Sequence, residues 1–76
     1  MKVVEITCEP VELYKILKFE GLVSSGGEAK VVIADGQVQV NGKIETQKRK
    51  KIVSGDIVEF GNERISVQLK VVAGQS

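Results

Sequence analysis

The chain predicts an α+β fold, with two short helices packed on a small, bent, mostly antiparallel β-sheet. Three features carry that expectation. Two apolar stripes at helical spacing lie between residues 10 and 36, and each is closed by a glycine. An Asn41-Gly42 pair sits between two short alternating runs. Residues 57–72 then hold two more runs of strand composition. At 76 residues, 42% hydrophobic and 28% charged, the chain reads as one domain, 1–76. Its margin of stability is thin, because a chain of this size buries only about 60–65% of the surface it exposes unfolded.

Residues 2–8, KVVEITC, are rich in β-branched side chains and alternate loosely, which predicts a first strand. Pro10 suits the first position of a helix, where its missing N–H costs nothing. That helix covers about residues 10–20: Leu13, Ile16 and Leu17 share one stripe, Lys15 and Lys18 point away from it, and Gly21 supplies the left-handed stop. Ser25 and Glu28 have the spacing of a capping box, in which each side chain satisfies a backbone N–H of the other's turn. Ala29, Val32 and Ile33 form the buried stripe of a second helix, closed by Gly36. Gly26 and Gly27 in its first turn cost about 1 kcal/mol each against Ala. They read either as an opening for an anion at the backbone N–H groups or as a tight corner between helices. The corner is the favoured reading.

Asn41-Gly42 predicts a hairpin of residues 37–40 with 43–46, since both central residues tolerate positive φ. The run QKRKK follows at 47–51, then Ile52-Val53 and a turn at Ser54-Gly55-Asp56. Residues 57–60 and 64–72 are further strands around Gly61-Asn62. The second of them places Ile65, Val67, Leu69 and Val71 on one face. Residues 73–76 read as a flexible tail.

Composition removes several function classes. Histidine is absent, which takes away the commonest general base and metal ligand and with them any Ser-His-Asp or Cys-His arrangement. No catalytic residue, metal site or cofactor is expected, and no small-molecule substrate. Cys8 has no second thiol to pair with and Glu5 and Glu9 for neighbours, so it reads as a buried or half-buried structural residue. Apolar runs stop at three or four residues, far short of the roughly 20 that cross a bilayer. The N-terminus lacks the apolar stretch of a signal peptide, so a cytoplasmic protein with no membrane partner is expected. A ubiquitin-like carrier would need a C-terminal Gly-Gly, and the chain ends Gly74-Gln75-Ser76.

The distribution of charge says more than its total of +1. Residues 1–35 carry four lysines against six carboxylates, a net of −2; residues 43–51 carry five cations against one Glu, a net of +4. A strongly basic patch on a mildly acidic body points to phosphates. Taken alone, Lys48, Arg49, Lys50 and Lys51 read as a solvated run. On a strand only about half of them would face one ligand, whereas a loop could present more.

The string SSGGEAKVVIADGQVQVNGKI, followed by IVSGDIVEF, resembles the RNA-binding domain named after small-subunit ribosomal protein S-four, also called the alpha-L motif. The resemblance covers about residues 11–60. It rests on the order and spacing of Leu13 to Leu17, Gly21, Ser25, Glu28-Ala29-Lys30, Gly36, Val38 to Gly42, Lys48 to Lys51 and Gly55-Asp56. The chain is also similar to the small stand-alone bacterial members of that family, which carry no catalytic domain. The resemblance implies a translation-linked or ribosome-associated protein that binds structured RNA, ribosomal or transfer RNA, through the two helices and the loop beyond the hairpin. By position it implies roles for Lys30, for Ser25 at the start of the second helix, for Lys18 late in the first, and for Lys48, Arg49, Lys50 and Lys51. Three cations common in the family are replaced, by Glu12, Gly26 and Val31, which shifts the electrostatic weight onto residues 43–51, Lys43 included.

Lys15 joins the candidates as a cation on the exposed side of the first helix. With only Tyr14, Phe19 and Phe60 as aromatics, and Tyr14 the one plausible stacking platform, recognition of RNA shape through phosphates and 2′-hydroxyls is favoured over reading of unstacked bases. The expected protein is a non-catalytic, monomeric binder of folded or double-helical RNA with weak sequence specificity. A small protein–protein interaction module using the acidic and basic surfaces is the alternative.

Overall fold

The computed structural model describes residues 2–70. Its elements run β1 (Lys2–Ile6), β2 (Val11–Glu12), α1 (Leu13–Phe19), α2 (Gly26–Ala34), β3 (Val38–Val40), β4 (Lys43–Ile44), β5 (Lys51–Ile52), β6 (Ile57–Phe60) and β7 (Glu63–Leu69). Five strands make one sheet in the order β1-β7-β6-β3-β4, and β2 pairs with β5 in a separate two-stranded ladder. The α+β architecture is therefore the one expected. The parallel exception is β1, which lies beside β7 with Lys2 opposite Ile65 and Ile6 opposite Leu69. All other ladders are antiparallel. A parallel pair needs a long crossover, and here almost the whole chain, both helices included, supplies it.

Alternation places Val4, Ile6, Val38, Val40, Val58, Ile65 and Val67 on the covered face of the sheet, against Leu13, Ile16 and Leu17 of α1 and Ala29, Val32 and Ile33 of α2. The opposite face is mixed: Glu5 lies beside Gln68 and Glu59 between Gln39 and Arg64, while Val3 and Ile57 flank Ser66. At the hairpin tip Asn41 takes φ 53° and Gly42 φ 84°. The Asn41 side chain accepts from the Ile57 N–H at 2.9 Å and donates to Asp56 at 3.0 Å, which fastens the tip to the entry of β6.

Several boundaries differ from the expected ones for local reasons. The first strand stops at Ile6 because the chain leaves β7 there, so Cys8 has no facing strand and is exposed, not buried. Pro10 does not open the helix. Val11 and Glu12 are held in a ladder with Ile52 and Lys51, and α1 begins only at Leu13. The capping box is offset by one residue. Ser25 Oγ accepts from the Glu28 N–H at 3.1 Å as expected, but the Glu28 carboxylate accepts from the N–H and hydroxyl of Ser24, both at 2.7 Å. The Ser24 backbone N–H first, and its hydroxyl second, hold the Glu28 carboxyl below its usual range. In β7, Ile65 and Val67 are buried but Leu69 is 37% exposed. The expected continuation to residue 72, Val71 and the tail 73–76 lie outside the described residues.

Candidate nucleic-acid interface

The first N–H groups of a helix have no partner within it. In α1 the basic segment supplies two of the missing acceptors: Lys50 O accepts from the Leu13 N–H at 2.9 Å, and Lys48 O from the Tyr14 N–H at 3.2 Å. A turn closes between them, with the Lys50 N–H donating to Gln47 O at 3.2 Å. Residues 47–50 are thus a loop, and Lys51 opens β5. The choice between strand and loop resolves in favour of the loop, the form that is not bound to strand alternation and can present more of its cations to one ligand. The backbone is meanwhile pinned to α1, so the charges are exposed on a fixed support.

The cations fall into groups. Lys48 of the loop and Lys30 of α2, with Val31, Ala34 and Asp35, line an open groove of about 340 Å³. Lys15 and Lys51 line a second cleft of about 520 Å³, with Cys8, Val11 and Phe19 among its walls. Glu12 stands between the groups, its carboxylate 3.5 Å from Lys15 and 3.7 Å from Arg49. Lys50 is half-buried beside the helix start and Lys51 is exposed. The Ser25 hydroxyl is engaged as the cap of α2. Lys18 is exposed in the last turn of α1 and Lys43 on the outer strand β4; among the described residues no ion pair joins either to the rest.

Tyr14, the stacking platform the sequence suggests, also meets cations in the fold. Its half-buried ring lies beneath two ammonium groups, Lys30 Nζ at 4.8 Å and Lys15 Nζ at 6.0 Å from the centroid. Lys15 is its chain neighbour, but Lys30 comes from the other helix, so only the helix-pair geometry reveals the cluster. Phe19 is 61% exposed at the end of α1, and Phe60 packs half-buried against the core. No helix among the described residues is long and apolar enough to cross a membrane.

The family model of the S4 domain matches residues 4–68. YbcJ of Escherichia coli (strain K12) is 51% identical over 57 residues, which is 75% of this chain and 81% of that protein. A Bacillus subtilis (strain 168) protein named "Probable ribosome maturation protein RlbA" is 32% identical over 57 residues, 75% of this chain and 80% of its own length. The solution structure of E. coli YbcJ, described as revealing an alfaL motif involved in RNA-binding, superposes with a TM-score of 0.70 at 45% identity, over 90% of this chain and 87% of that one.

Proposed function

The chain belongs to the S4 domain family, and from that premise we propose that it is a non-catalytic RNA-binding protein. It recognises folded or double-helical RNA by phosphate and shape contacts, with weak sequence preference, as a monomer in the cytoplasm. The observation that carries this reading is the docking of the Lys48–Lys50 backbone on the start of α1, which sets the basic loop beside Lys30 and Lys15. Lys48, Arg49 and Lys30 form the centre of the contact, with Lys50, Lys51 and Lys15 flanking it. Lys18 and Lys43 extend it, and Ser25 serves through the helix it caps. The B. subtilis relative named for ribosome maturation makes a ribosomal RNA fragment the first ligand to try.

Binding is measured with a folded rRNA fragment, an unpaired strand and duplex DNA. Four to six neutralised phosphates should lower the affinity for folded RNA by roughly 10²- to 10³-fold between about 50 and 200 mM salt. A protein-interaction module would show no RNA affinity even at the lower salt.

Glu12 refines the expectation. Its carboxylate competes with phosphate for Lys15 and Arg49, and both pairs are exposed enough to exchange partners readily. Glu12→Gln should therefore raise RNA affinity by about 3- to 10-fold at low salt. It should raise duplex DNA affinity by a comparable factor, since the freed cations act on phosphates common to both. An unchanged or lower affinity in the same assay would show that Glu12 does not compete.

A further inference from the structure

We propose that Tyr14 is the positioning residue of this surface, its ring fixing where the Lys30 ammonium stands relative to the basic loop. This rests on the RNA-binding reading above. Three elements meet at Tyr14. Its N–H donates to Lys48 O at 3.2 Å, tying it to the loop. Its ring carries Lys30 Nζ of α2 at 4.8 Å, inside the distance at which the negative face of an aromatic ring attracts a cation. The ring edge also reaches the first turn of α2, where a Cβ on Gly26 would stand 3.7 Å from Tyr14 Cε2. Backbone and ring of one residue thus meet both Lys48 and Lys30, which line a single groove.

The chemistry explains what is gained. A lysine on a free four-carbon stem loses much rotamer freedom when it binds a phosphate, and one already held loses less. The ring leaves the charge intact, unlike a carboxylate partner, so Lys30 is oriented without being neutralised. Lys15 and Arg49, by contrast, are oriented by Glu12 and must be released from it. Lys30 and Lys48 are then the cations ready for the first phosphate contact.

The test combines NMR with binding to the folded rRNA fragment at about 50 mM salt. In the wild-type protein the Lys30 side-chain methylene protons should be shifted upfield by the Tyr14 ring current. The shift should persist in Tyr14→Phe and vanish in Tyr14→Leu. Tyr14→Leu should weaken RNA binding by about 3- to 5-fold, Tyr14→Phe hardly at all, as expected for a cation–ring contact at a partly exposed site. Lys30→Met should cost a comparable factor and lower the salt slope by about one phosphate's share. The double variant should be no weaker than Lys30→Met alone, within about twofold. Additive losses, or the absence of the upfield shift in the wild-type protein, would overturn the proposal. The wild-type shift needs no variant to fold, so the outcome stands even where Tyr14→Leu unfolds. If the wild-type protein binds no RNA at all, the RNA-binding reading falls and this one with it; binding with additive variants removes only the role of Tyr14.

Discussion

Reversing three charges of the basic loop, in the variant K48E/R49E/K50E, is expected to weaken binding of the folded rRNA fragment by at least about 100-fold at 50 mM salt. Each cation that neutralises a phosphate contributes through counterion release, so the loss of three contacts alone accounts for most of the effect, and repulsion between the new carboxylates and the RNA adds to it. The fold should survive. What the loop gives α1 is carbonyl oxygens, Lys50 O to Leu13 and Lys48 O to Tyr14, and these remain whatever the side chains are. Among the described residues, the one ion pair removed, Arg49 with Glu12, involves an arginine side chain that is 72% exposed and adds little to stability. The companion K48Q/R49Q/K50Q separates lost attraction from added repulsion and should still lose more than about tenfold. Far-UV circular dichroism checks that both variants are folded. Lys43, set apart on β4, serves as the internal comparison, since K43E should cost only a fewfold. If the triple reversal binds RNA as the wild-type protein does, the interface lies elsewhere on the molecule.

The parts of this surface that the sequence discloses are those encoded by short-range physics. Helix stripes, the Ser25 cap and the Asn41-Gly42 turn each depend on residues within a few positions of one another, and each forms where the pattern says. What stays hidden is tertiary. Val11-Glu12 meets Lys51-Ile52 across forty residues of chain in a ladder only two pairs long, too short to leave any alternation in the sequence. That ladder delays the start of α1 to Leu13 and brings the basic loop to it. The same long-range geometry sets Tyr14 beneath Lys30. The exposure of Cys8 follows from where β1 departs from β7, a matter of sheet register that the local composition does not carry. Glu12 shows the difference best. As a residue it reads as a missing cation, while in the fold it is the carboxylate that holds two others.

That long-range dependence has its sharpest consequence at Ile52. From Asn41 to Ile57 the chain passes through the hairpin tip, β4, the basic loop and the Ser54-Asp56 turn, and Ile52 is the one residue of that stretch that is buried, with no exposure at all. Its side chain joins the core formed by both helices and the sheet, and its backbone faces Val11 in the β2–β5 ladder. Ile52→Ala is expected to cost about 2–5 kcal/mol, from lost apolar transfer and the cavity left behind. A domain of this length has about 4–11 kcal/mol of total stability, so the variant keeps only part of it. Urea unfolding should show a lower midpoint with little change in slope, and Ile52→Val, which removes one methyl group, should lose about 0.5–1.5 kcal/mol. The functional effect should exceed the share of protein that unfolds. Lys50 lies two residues from Ile52, so loosening β5 is expected to disturb the bonds that the carbonyls of Lys48 and Lys50 accept from α1. RNA affinity corrected for the folded fraction should therefore fall further in Ile52→Ala, by a factor comparable to losing one or two phosphate contacts, and stay near the wild-type value in Ile52→Val. A core substitution of similar cost on another element, such as Ile65→Ala on β7, whose ladder partners are Val58 and Lys2, should lower stability without that additional loss. Equal corrected affinities for Ile52→Ala and Ile65→Ala would mean that the loop holds its place without Ile52.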